Sequence, residues 1–127
     1  MKIHHIGISV TNLKKSINFY SLLGFNLEKE FTKPEWDGNA AILSLNSFKL
    51  ELFCFKDNIP SRDNAKNLHQ LGLKHIGFSI TDIWKTYNFL KEKGIEIDEP
   101  QKGTTCAWYC FFKDPDGIVL ELYESKK

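Results

Sequence analysis

Two histidines and two glutamates carry the chemistry open to this chain. His5 and His75 stand 70 residues apart, and so do Glu51 and Glu121. Each glutamate lies between leucines, Leu50 and Leu52 in one place and Leu120 and Leu122 in the other. Each histidine begins the same tripeptide, His-Ile-Gly. Two imidazoles and two carboxylates form a mixed nitrogen and oxygen donor set that suits a divalent transition metal with room for waters. A carboxylate in such a set can also move a proton. Taken singly, a strand histidine is usually structural or solvated, and a glutamate between leucines is usually the wet side of an amphipathic strand. The common offset is what sets these four apart.

The elements that must position them repeat at the same offset. From 5–25 against 75–95, nine of 21 positions are identical: His5/His75, Ile6/Ile76, Gly7/Gly77, Ser9/Ser79, Thr11/Thr81, Lys15/Lys85, Asn18/Asn88, Phe19/Phe89 and Gly24/Gly94. An internal repeat of this kind governs the fold. We expect one domain over 1–127, made of a first copy at about 1–56, a polar linker at about 57–72 and a second copy at about 73–127. Each copy opens on an alternating strand. Thr11-Asn12 and Thr81-Asp82 then offer helix N-caps. In the first copy Leu13, Ile17, Tyr20 and Phe19 suggest a helical stripe, and Gly24 ends it; Gly94 ends its counterpart. Further strands are predicted at about 26–33, 39–46 and 49–55, and at about 96–101, 106–113 and 118–124. Asp114-Pro115-Asp116-Gly117 marks a turn. Each unit thus reads β-α-β-β-β.

Alternation assigns faces. Leu50, Leu52, Ile6 and Ile8 point one way, toward the helix, whereas Glu51, His5, Gly7 and Ser9 point the other. The same holds around Glu121 and His75. A carboxylate on a dry face would be costly, so the second face must border water or a polar cavity. His4 has Lys74 as its counterpart and is expected on the opposite face in a structural role; His69, in the linker, is read the same way. Arg62, the only arginine, lies in the linker near the expected cavity mouth, where a guanidinium suits a substrate carboxylate or phosphate. Phe53 and Phe55 share the face of Glu51 and can wall a cavity. Trp36, Trp108 and Phe111 are further aromatic candidates whose facing the sequence leaves open, and Trp108 is included among the expected substrate contacts.

Composition narrows the partners. With 42% hydrophobic and 26% charged residues the chain has a globular balance, and its formal net charge of +1 offers no field to gather nucleic acid or an acidic membrane. No apolar run reaches the roughly 18 residues of a membrane helix. Cys54, Cys106 and Cys110 form neither a disulfide framework nor a zinc knuckle by spacing. No signal-peptide pattern opens the chain, so a cytoplasmic location is expected.

The duplicated openings HHIGISV and KHIGFSI, with the ending FFKDPDGIVLELYE, resemble the vicinal oxygen chelate superfamily, which includes glyoxalase I, bleomycin-resistance proteins and extradiol dioxygenases. The resemblance implies an α+β fold in which two tandem βαβββ units form a half-open, eight-stranded, barrel-like sheet. It implies metal ligands on the first and last strands of each unit, which by position are His5, Glu51, His75 and Glu121. This His/Glu/His/Glu set is similar to that of glyoxalase I. The implied activity is metal-dependent isomerisation of the hemithioacetal of a 2-oxoaldehyde such as methylglyoxal and a thiol into a 2-hydroxyacyl thioester. Glu121 would act as base with Glu51 as its partner, on one divalent ion per site, nickel or cobalt favoured over zinc. A homodimer acting on a small molecule is expected, with the site formed within one chain or exchanged between two. A metal-free drug-binding module, and a dioxygenase or thiol transferase on the same scaffold, are the competing classes.

Overall fold

A computed structural model describes residues 1–62 and 64–127. Two compact units are present, Met1–Pro60 and Ser61–Lys127. The first carries β1 (His5–Ser9), α1 (Leu13–Leu22), β2 (Asn26–Phe31), β3 (Gly38–Leu45) and β4 (Phe48–Phe55). The second carries β5 (Ile76–Ile80), α2 (Ile83–Glu92), β6 (Gln101–Lys102), β7 (Trp108–Lys113) and β8 (Val119–Glu124). Each unit is a βαβββ motif with one open four-stranded sheet. Their strand orders are β1-β4-β3-β2 and β5-β8-β7-β6. In each, the first strand pairs parallel to the last, and the remaining pairs are antiparallel.

The helices begin where a short polar side chain can cap them. Lys15 N–H donates to Asn12 Oδ1, and Lys85 N–H donates to Asp82 Oδ1, each at 3.0 Å. Glu124 of β8 adds a carboxylate that accepts from Ile83 N–H at 2.8 Å, tying the start of α2 to its sheet. Beyond the helix ends, Gly24 and Gly94 take φ of +99° and +82°, a left-handed conformation that L side chains resist. The core of the first unit joins Ile8, Val10, Tyr20, Phe25, Leu43, Leu50 and Leu52; that of the second joins Ile83, Leu90, Cys110, Phe112, Leu120 and Leu122. Burying a leucine of this kind stabilises by about 1.5–3 kcal/mol.

Two local expectations change. On α1 the fully buried positions are Ser16 and Tyr20, while Leu13 and Ile17 are only partly covered. A small side chain at position 16 lets the helix lie close to the sheet, which hydropathy alone does not reveal. The strand expected at 96–101 reduces to an Ile97–Phe112 bridge and the two-residue β6. Pro100 lacks a backbone N–H and interrupts the ladder between them. The turn at Asp114 forms as expected. Its Oδ1 accepts from Asp116 N–H and Ile118 N–H, both at 2.9 Å, and Gly117 has φ of +87°.

Candidate metal centre

Parallel pairing of the first and last strands brings each histidine to its glutamate. In the first unit Gly7 is the register partner of Glu51, and in the second Gly77 is the partner of Glu121. The two registers are therefore identical at the 70-residue offset. From two residues up the strand, His5 Nε2 reaches to 3.2 Å from Glu51 Oε2. His75 Nε2, just ahead of β5, lies 3.1 Å from Glu121 Oε2. Glycine opposite each glutamate leaves room for a neighbouring side chain. A Cβ on Gly77 would stand 3.3 Å from Glu121 Oε2, and one on Gly7 would stand 3.3 Å from the Phe53 ring.

Each unit also supplies aromatic surface on the glutamate face. Trp36, in the β2–β3 connection, folds back onto Phe53 and Phe55, with ring centroids 6.0 and 5.3 Å away. In the second unit Phe111, the register partner of Glu121, meets the His75 ring edge to face at 5.3 Å and Tyr109 at 5.7 Å. Trp108 takes the other face. It shares a face of β7 with buried Cys110 and Phe112 and packs on Trp84 of α2 at 5.6 Å, so it does not join this wall. Arg62 is exposed in the segment between β4 and β5. An open cleft of about 580 Å³ lies at the end of β4, where Trp36, Phe55, Asn39, Lys56 and Asn58 contribute to its lining. Asn39, at the start of β3, and Lys56 and Asn58, beyond β4, are isolated polar residues that carry no periodic signal in the sequence.

His4 also departs from expectation. The strand begins only at His5, so alternation does not extend back to place His4. Its ring stands edge to face with that of His5, and the two Nδ1 atoms are 2.8 Å apart.

Each pair offers one nitrogen and one oxygen at the separation of neighbouring ligands on a single ion, which bond lengths near 2.1 Å put at about 3.0–3.4 Å for right-angled to tetrahedral arrangements. The donor set thus fits a borderline divalent metal. Among the described residues no group of three or more His, Cys, Asp or Glu side chains is gathered as a metal ion would need. Each pair supplies two donors, and the chain contains two such pairs.

The family model of the Glyoxalase/Bleomycin resistance protein/Dioxygenase superfamily matches residues 2–122. The uncharacterized protein YwkD of Bacillus subtilis (strain 168) is 38% identical over 96% of this chain and 95% of its own length. The trivalent organoarsenical cleaving enzyme of Bacillus sp. (strain MD1) is 32% identical over 99% of this chain and 74% of its own. The crystal structure of the glyoxalase family protein from Enterococcus faecalis superposes with a TM-score of 0.84 at 36% identity, covering 97% of each chain. Other relatives carry the names probable lactoylglutathione lyase (Vibrio parahaemolyticus, 28% identical) and metallothiol transferase FosB (Staphylococcus haemolyticus, 34% identical).

Proposed function

The chain belongs to the glyoxalase/bleomycin resistance protein/dioxygenase superfamily, and on that premise we propose that it is a divalent-metal-dependent lyase of the glyoxalase I type. Its substrate is the hemithioacetal of a 2-oxoaldehyde such as methylglyoxal and a thiol, and its product is the 2-hydroxyacyl thioester. The observation that carries this reading is the His–Glu pair, written twice in one register with its donor atoms 3.1–3.2 Å apart. His5, Glu51, His75 and Glu121 together would hold one ion, with nickel or cobalt favoured over zinc by the four-ligand N/O set. When bound, the ion supplies Lewis-acid stabilisation for charge developing on two neighbouring substrate oxygens.

The protein's own groups move the proton. Glu121 takes it from the carbon that carries sulfur and returns it to the adjacent carbon, while the hydroxyl proton passes from the first carbon's oxygen to the second's, so substrate and product are isomers. Glu121 is the better placed of the two glutamates, since its side chain is 14% exposed against 25% for Glu51. Withdrawal from water strengthens a carboxylate's interactions with charge at the reacting centre. His75 is steadied by the Phe111 ring, and Gly77 leaves the Glu121 carboxylate the clearance it needs. Phe53, Phe55 and Trp36 offer an apolar wall for the substrate's carbon and sulfur atoms, and Arg62 offers a cation for a carboxylate on the thiol.

A homodimer in the cytoplasm completes the proposal. Ile3 and Leu73 occupy equivalent positions two residues ahead of each ligand histidine, and they are 83% and 88% exposed. Apolar side chains this bare at matched places suit cover by a second copy. The decisive assay reconstitutes metal-stripped protein with Ni(II), Co(II) or Zn(II) and supplies methylglyoxal with glutathione or other thiols. Thioester formation that requires the metal supports the assignment. Absence of turnover with every metal and thiol would remove it.

A further inference from the structure

We propose that His4 is a positioning residue for the first half of the metal site, selecting the ring orientation and tautomer with which His5 presents its Nε2 lone pair. The proposal rests on His5 being a ligand. Two imidazole Nδ1 atoms 2.8 Å apart leave room for one proton between them, so one nitrogen donates and the other accepts. A neutral histidine that binds a metal through Nε2 carries its proton on Nδ1. His5 Nδ1–H then donates to His4 Nδ1, and His4 carries its own proton on Nε2. Without a metal, the 3.2 Å approach of His5 Nε2 to Glu51 Oε2 favours a proton on Nε2, and His4 Nδ1–H donates instead. His4 satisfies His5 in either state because an imidazole can accept or donate at the same atom.

The second half of the site is built differently. His75 is held from its face by Phe111, whereas the residue at the position equivalent to His4 is Lys74. Lys74 Nζ donates instead to the Asn67 carbonyl at 3.0 Å. His5 belongs to the half whose ligand ring is backed by a polar partner, and outer partners of metal-bound histidines orient the ring and raise its basicity.

Zn(II) affinity of the full-length, metal-stripped protein, measured by competition with a chromogenic chelator, tests this. His4→Phe keeps ring bulk but removes the acceptor, and it is expected to weaken Zn(II) binding about 10–100-fold. His4→Gln, which can accept or donate, is expected to recover most of the loss, and Lys74→Met to leave affinity unchanged. In the zinc-loaded wild type, ¹⁵N spectra of labelled histidine should show His5 protonated at Nδ1 and His4 unprotonated there. Wild-type affinity in His4→Phe, or a protonated His4 Nδ1 in the zinc-loaded protein, overturns the proposal. Wild-type protein that binds no Zn(II), or His5→Ala that binds as well as wild type, overturns the metal site itself and this proposal with it.

Discussion

Glu121 and Gly77 show how one missing carbon can serve a site. The glycine lies across from the glutamate in the parallel register, and its bare Cα leaves the carboxylate space to lean toward His75. Gly77→Ala should therefore fold, yet push the carboxylate aside by a few tenths of an ångström and lower metal affinity severalfold; chelator competition reads the change. Ser16 presents the opposite situation, a hydroxyl that does nothing for the fold. It is wholly buried, and its Oγ has no hydrogen-bond partner among the described residues. An unmet buried donor costs about 1–3 kcal/mol, so Ser16→Ala should raise the urea midpoint instead of lowering it. Cys110 sets a pH limit. Burial pushes its thiol up to about 12 from an ordinary 9.0, and the charges of Asp98 and Glu121 push the same way. A raised value means that the unfolded chain ionises first. The stability contributed by the protonated thiol is complete below about pH 9 and is lost as pH climbs toward 12. Wild type should accordingly lose its advantage over Cys110→Ala in denaturant melts as pH rises past 9.

Among the elements, the first and last strands of each unit were the most legible. Alternation around Leu50-Glu51-Leu52 and Leu120-Glu121-Leu122 gives the correct faces because both leucine pairs bury against a helix-covered core. The caps at Asn12 and Asp82 and the stops at Gly24 and Gly94 were equally readable, since each is a local demand on a single residue. Edges were harder. Pro100 cuts the strand expected at 96–101, and Trp108 faces α2, a choice its neighbours Cys110 and Phe112 share but its own aromatic character does not decide. His4 lies just outside the strand, where periodicity has no authority. Gly38 is another position with a meaning visible only in three dimensions. Opposite Phe55 at the start of β3, a Cβ there would fall 2.1 Å from the Cys54 carbonyl oxygen and 2.7 Å from Phe55 Cα. Gly38→Ala should destabilise the protein by about 1–3 kcal/mol, read as a lowered urea midpoint.

For the molecule as a whole, duplication underlies the proposed site. One βαβββ unit makes one His–Glu pair, and a divalent ion held by four protein ligands needs two. Neither unit should bind metal tightly by itself, which is why the repeat and the proposed chemistry go together. No helix is long and apolar enough to cross a membrane among the described residues. Anomalous diffraction at the nickel absorption edge, from crystals of the Ni(II)-loaded protein, addresses the shared ion directly. We expect one strong peak per chain, ligated by the Nε2 atoms of His5 and His75 and by carboxylate oxygens of Glu51 and Glu121, whether those come from one chain or two. A peak bound elsewhere, or Ni(II) held by one pair without the other, would contradict it.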